Sequence, residues 1–175
     1  IGYSESFEHF ELLRKNFVKT KSHKEFFKSL APEFAHLGNV AEITANLNRY
    51  FYEPEMPASL QLMAGAEDNL KYLTPKYQVF VVTAGVLKAQ QRKLELLKIS
   101  RFIKPDHALI VADGAFATKK LAFENILERS IIKPEEMLSV GNRLSQEIRM
   151  AKQLNARTCF FRHGEHADDT PQDQF

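Results

Sequence analysis

The stretch LSVGNRLSQEIRMA, residues 138–151, decides the fold. A short apolar run stops at Gly141 and a polar cluster, and a helical pattern carried by Leu144, Ile148 and Ala151 starts at once. An α/β domain brings polar side chains to the carboxyl end of a strand in this way, beside the amide-rich start of a helix that favours anions. Phosphate chemistry is therefore the first expectation.

Working outward, the same alternation runs through the second part of the chain. Residues 77–83, YQVFVVT, form a β-branched run of strand length, ended by Gly85 and preceded by a helical pattern through Leu62, Leu70 and Leu73. A helix with Val86, Ala89, Leu94 and Leu97 leads to a second strand at 107–111. A helix with Phe123, Ile126 and Leu127 then precedes a strand at 137–140, and a helix with Leu144, Ile148, Ala151 and Leu154 precedes a last strand at 157–162. Strands that are continuously apolar and bounded by helices predict an α/β fold: a Rossmann-like parallel sheet with helices on both faces.

Before residue 58 the pattern is helical throughout. Phe7, Phe10, Leu13 and Phe17 make one stripe, Ser22 and Glu25 read as a capping box, and Phe26, Phe27 and Leu30 make a second helix. After Pro32 and Gly38, a third helix carries Val40, Ile43, Leu47 and Phe51 until Pro54 and Pro57 stop it. This is a small three-helix bundle holding half of the chain's 14 Phe, read as its core rather than as a grip on an apolar substrate. The expected organisation is a helical domain over 1–57, an α/β core over 58–166 and a polar tail over 167–175.

Bulk properties set limits. The 24 basic and 22 acidic side chains nearly cancel to +2, and no basic run is interleaved with aromatics, so charge argues for no nucleic-acid or membrane partner. No apolar run reaches membrane-span length, no signal-peptide pattern opens the chain, and a lone Cys159 excludes an internal disulfide, so a cytoplasmic location is expected. Ile1 in place of a methionine is taken as a hint of further chain upstream.

Three strand ends are candidates for chemistry. Thr83 closes a strand, and its hydroxyl, with the backbone of Ala84 and Gly85, is placed to face an anion; a threonine there is also common without function. Lys119 and Lys120 open a helix whose dipole disfavours cations, a mild misfit that an anion between them would relieve; a solvated lysine pair is the plain alternative. Asn142 and Glu147 flank the third place and offer oxygen to Mg²⁺, although an N-cap asparagine and a surface glutamate would look the same.

Taken in order, the strand ending in Thr83, the helix-opening lysine, the phrase VGNRLSQEIRMAKQLNARTCFF and the preceding helical bundle resemble the haloacid dehalogenase-like superfamily of hydrolases, from the bundle to His166. Members of that superfamily read V-G-D-x-x-x-x-D-I-x-x-A-K-x-A-G in their last motif, and Val140, Gly141, Ile148, Ala151 and Lys152 fall in place. The resemblance implies that Thr83 hydrogen-bonds the transferred phosphoryl group, that Lys119, or failing it Lys120, neutralises charge there, and that Asn142 and Glu147 stand near Mg²⁺. It further implies a small phosphorylated substrate and a helical cap formed by the bundle.

Two departures from the superfamily pattern matter. Asn142 stands where an aspartate is usual and Glu147 replaces a second aspartate, so a neutral amide takes the place of a charged ligand. No D-x-D motif is present to supply the nucleophilic aspartate and general acid, and Asp68, Asp106 and Asp113 lack the strand context to replace it. In the resembled fold that motif ends a strand central to the sheet. An upstream segment is accordingly expected to supply it, and these residues alone are expected to be inactive. Asn142 also leaves open a catalytically degenerate binding or regulatory module, and an unrelated doubly wound binding domain is a third reading. His163 and His166, spaced H-x-x-H around Gly164, read as a loop bordering the cleft rather than a metal site, and Asp113-Gly114 as a turn. No G-x-G-x-x-G or P-loop pattern occurs.

Overall fold

The computed structural model describes residues 7–18, 23–53, 55–111 and 116–170. The expected Ser22 cap, the Asp113-Gly114 turn and residues 171–175 lie outside them. The chain divides into two compact units, Ile1–Glu55 and Met56–Phe175.

The first unit is helical: α1 (Phe7–Val18), α2 (His23–Leu30), a 3₁₀ segment (Ala31–Leu37) and α3 (Val40–Tyr52). Phe26, Phe27 and Leu30 are buried, with Phe17, Phe34 and Leu47 packed against them. Their rings meet at tilted angles, Phe17 and Phe26 at 5.4 Å and Phe27 and Phe51 at 5.3 Å between centroids, the geometry favoured by aromatic quadrupoles. The α3 start is set by Asn39, whose Oδ1 accepts from the Ala41 and Glu42 backbone N–H groups. Phe26 and Phe27 are core, whereas Phe51 lies at its exposed edge.

The second unit is α/β. Its elements run α4 (Ala66–Leu73), β1 (Val81–Ala84), α5 (Leu87–Leu96), β2 (Ala108–Val111), α6 (Phe116–Ser130), β3 (Leu138–Gly141), α7 (Arg149–Gln153) and β4 (Arg157–Phe160). Several expected boundaries shift, the last strand ending at Phe160 rather than at residue 162. Leu62 lies before α4, and residues 77–80 lie outside the ladder, although Phe80 stacks on His107 at 4.1 Å, just ahead of the strand pairing. The helix expected after Gly141 opens as one π turn, Leu144–Ile148, in which the Arg149 N–H reaches the Leu144 carbonyl before α7 begins. The chain then turns into β4 at Asn155 with φ +61°, a conformation that asparagine tolerates better than most residues.

The strands are parallel, as expected, and fall into two pairs, as a sheet without its central strand would. β1 pairs with β2 in parallel, Thr83 opposite Ile110, and β3 pairs with β4 in parallel, Val140 opposite Cys159. Among the described residues these are two separate two-stranded sheets. A common core ties them together: Phe123 and Ile126 of α6 pack with Met137, Met150, Ala151 and Ala156, and Phe80, Val82 and Leu109 from the β1 side join the same cluster. Burial on both faces fails for the second pair. Ser139 is buried, yet Leu138 is 59% exposed and Val140 62%, with Arg157 and Cys159 exposed opposite them. The hydrophobic pattern of β3 thus asks for a cover that the described residues do not supply. No helix among the described residues is long and apolar enough to cross a membrane.

Candidate functional site

Two clusters form where strands end. At the end of β1 the Thr83 hydroxyl donates to Gln90 Oε1 at 3.1 Å, and Gln90 Nε2 donates to the Ala84 carbonyl at 3.1 Å. Gln90 reaches this place because Gly85 leaves room: a Cβ there would come 2.5 Å from Gln90 Nε2, and the Gly85 φ of +147° itself favours glycine. The Gly85 N–H donates to the Val111 carbonyl at 3.0 Å and so extends the β1–β2 pairing. That amide is spent within the sheet, as the Thr83 proton is on Gln90.

The second cluster is charged. Lys119, the fourth residue of α6, donates to Glu147 Oε2 at 2.7 Å, and the two side chains are only 16% and 14% exposed. The other carboxylate oxygen, Oε1, accepts the Arg143 backbone N–H at 3.0 Å. Here too a glycine makes the space, since a Cβ at Gly141 would collide with the Glu147 side chain. Burial pushes the Glu147 pKa up, but the Lys119 ammonium and the backbone N–H groups of Glu147 and Arg143 outweigh it and hold the carboxyl below its ordinary value. Lys120 points elsewhere: it lies 3.7 Å from Glu124 on a half-exposed face. Of the two lysines, Lys119 is the one paired with Glu147.

Asn142 follows Gly141 at the end of β3. Its Nδ2 donates to the His163 carbonyl at 2.9 Å, anchoring the segment after β4. An aspartate could not make this bond, because both of its oxygens accept. The two histidines do not converge: the His163 ring stacks on Phe161, whereas buried His166 pairs with Asp169 at 3.1 Å. For Mg²⁺, which needs several oxygen donors, the supply is thin. Asn142 Oδ1 is one neutral oxygen, both Glu147 oxygens are engaged, and among the described residues no group of three His, Cys, Asp or Glu comes together. The described residues do not by themselves fit a Mg²⁺ site, and Glu147, expected at this site, anchors Lys119.

Thr83 thus belongs to a neutral cluster and Lys119, Glu147 and Asn142 to a polar, charged one; no hydrogen bond among the described residues joins the two. They share α6 and its core as a support. Gln90 was not singled out by sequence. Its only signal is a polar residue one turn into the helix after a strand-ending Thr-Ala-Gly, and Gln91 beside it looks the same. Arg143 was also passed over, and its Nε is buried with no hydrogen-bond partner among the described residues.

Comparison with known proteins narrows the family. Over 111 residues the chain is 29% identical to a glyceraldehyde 3-phosphate phosphatase of Pyrococcus furiosus, a match that takes in 62% of this chain and 45% of that protein. The chain thus spans about half the length of that relative. A crystal structure of a haloacid dehalogenase-like family hydrolase from Xanthomonas campestris superposes with a TM-score of 0.59 at 15% identity, over 97% of this chain and 70% of that one, a likeness of fold. The profile of the haloacid dehalogenase-like hydrolases matches residues 3–155, and the chain belongs to that family of hydrolases.

Proposed function

We propose that the chain carries the phosphoryl-binding part of a phosphohydrolase, Mg²⁺-dependent when complete and acting on a small phosphorylated metabolite. Thr83 donates its hydroxyl proton to a phosphoryl oxygen, and Lys119 supplies the positive charge that the anion requires. Glu147 holds Lys119 in place. The observation that carries this reading is the Lys119–Glu147 pair: a cation that its own helix dipole disfavours is nonetheless fixed, nearly buried, at a helix start. Glu147 supplies the counter-charge that makes this position tenable, and in this reading the ammonium it holds there also meets the phosphoryl group. The naming of the Pyrococcus furiosus relative as a phosphatase supports a phosphate ester as substrate.

Phosphoryl transfer through an aspartyl-phosphate needs a nucleophilic carboxylate and an acid that protonates the leaving oxygen. Neither is found among the residues at the two strand ends. In this reading both come from an acidic strand seated between β1 and β3. Among the described residues each of those strands has one partner, and the buried Arg143 Nε, a donor left without one there, offers a bond to an incoming carbonyl. The oxygens that would complete a Mg²⁺ site come with the same strand, and the helical unit takes the part of a cap. The lone Cys159, exposed and unpaired, suits a reducing cytoplasm.

A second reading, a module that binds phosphate without turning it over, is favoured by one observation: the Asn142 amide is committed to the His163 carbonyl. Hydrolysis of p-nitrophenyl phosphate by the intact protein, with and without Mg²⁺, separates the two. Metal-stimulated turnover that falls by about a hundredfold or more in Lys119→Ala is expected, the scale for removing one transition-state donor. A folded intact protein that binds phosphate but shows no turnover would leave the binding reading in its place.

A further inference from the structure

The Gln90 amide has one orientation that satisfies its neighbours. The Ala84 carbonyl can only accept, so the Gln90 amino group must face it, as it does at 3.1 Å. That turns Oε1 toward Thr83, and Oε1 can likewise only accept, so the Thr83 hydroxyl donates to it. A hydroxyl owns a single proton. A deprotonated phosphoryl oxygen is also an acceptor, and the two must compete for that proton.

From this accounting we propose that Gln90 is a latch on Thr83: it holds the threonine hydroxyl in one rotamer and takes its proton while the site is empty, and an incoming phosphoryl group must displace it. The inference rests on the phosphoryl-binding reading of Thr83 given above. Three features make the latch releasable. The Thr83–Gln90 bond is 3.1 Å long, beyond the usual O–H···O distance of about 2.7–2.8 Å, so it is weak. An anionic oxygen is the stronger acceptor, and the exchange runs downhill. Gln90 stays in place after release, because its Nε2 keeps the Ala84 carbonyl and its backbone N–H keeps the Val86 carbonyl at 3.0 Å. Gly85 is part of the device, since any larger residue would push Gln90 off the turn. Gln90 is accordingly a positioning residue that lowers affinity for the anion and restores the unliganded rotamer after release.

The test is calorimetric titration of the intact protein with inorganic phosphate, for wild type, Gln90→Met, Thr83→Val and the double variant. Gln90→Met should bind about fivefold more tightly, the worth of one neutral hydrogen bond, and should have no effect in the Thr83→Val background. Unchanged or weaker binding by a folded Gln90→Met protein overturns the latch, as does the same gain in the absence of the Thr83 hydroxyl. A ligand-free readout keeps this apart from the phosphatase reading: three-bond couplings of Thr83 should report one χ1 rotamer in wild type and averaging in Gln90→Met. A single rotamer in both removes the latch whatever binds. Phosphate affinity unaffected by Thr83→Val removes the phosphoryl role of Thr83 and, with it, the competition.

Discussion

The turns after β1 and β3 solve one problem with different chemistry. In each, a glycine ends the strand, and a side chain from the following helical segment folds back over it, Gln90 over Gly85 and Glu147 over Gly141. The first side chain is neutral, and its bonds stay within seven residues. The second is charged and joins positions 28 residues apart in the chain. A neutral clasp can be opened at the cost of one weak hydrogen bond, whereas the ion pair cannot be opened without stranding a charge in a nearly dry place. One turn thus holds a yielding donor and the other a fixed cation.

The comparison breaks most visibly at Glu147. Removing it in Glu147→Ala leaves Lys119 nearly buried without its counter-charge and Arg143 N–H without an acceptor, and should cost about 2–4 kcal/mol in urea denaturation. The same carboxyl gives a sign for pH. Its folded pKa lies below the ordinary 4.5, so its stabilising contribution is complete above that value and is lost as pH falls through the lowered one. Acid titration of stability should therefore flatten in Glu147→Gln, and an unchanged acid limb would contradict the pairing.

Smaller changes sharpen the contrast. Gly141→Ala displaces the Glu147 side chain while leaving both charges in the protein, and should cost about 2 kcal/mol, part of the Glu147→Ala effect. Asn142→Asp puts a carboxylate against the His163 carbonyl in place of a donor, a loss of about 1 kcal/mol seen as a lowered melting temperature. Lys120→Ala, on the half-exposed face beside Glu124, should fall within about 0.5 kcal/mol of wild type. A cost for Lys120→Ala equal to that of Lys119→Ala would show that the choice between the two lysines is wrong.

Much of this was legible in residue order, because strand, turn and helix each leave a local mark. The runs ending at Thr83 and Gly141 and the stripe of Phe26, Phe27 and Leu30 are set by periodicity and turn chemistry, and the elements form where those marks lie. What was not legible depends on distant packing. Nothing in VTAGVLKAQQ says that Gln90 rather than Gln91 turns back to the strand, since that depends on the helix phase at Val86. That Glu147 reaches Lys119 is likewise not readable from residue order, since Lys119 lies on another element. The open face of Leu138 and Val140 was equally hidden, because an apolar strand reads alike whether or not something covers it.

The central claim is that the neutral and the charged turn serve one phosphoryl group. Calorimetric affinity of the intact protein for inorganic phosphate, compared among wild type, Thr83→Val and Lys119→Met, tests it most directly. Each substitution should weaken binding by about tenfold or more, as the loss of a hydrogen bond to a charged group requires. Affinity that survives either change would place the two turns in separate roles and contradict the account.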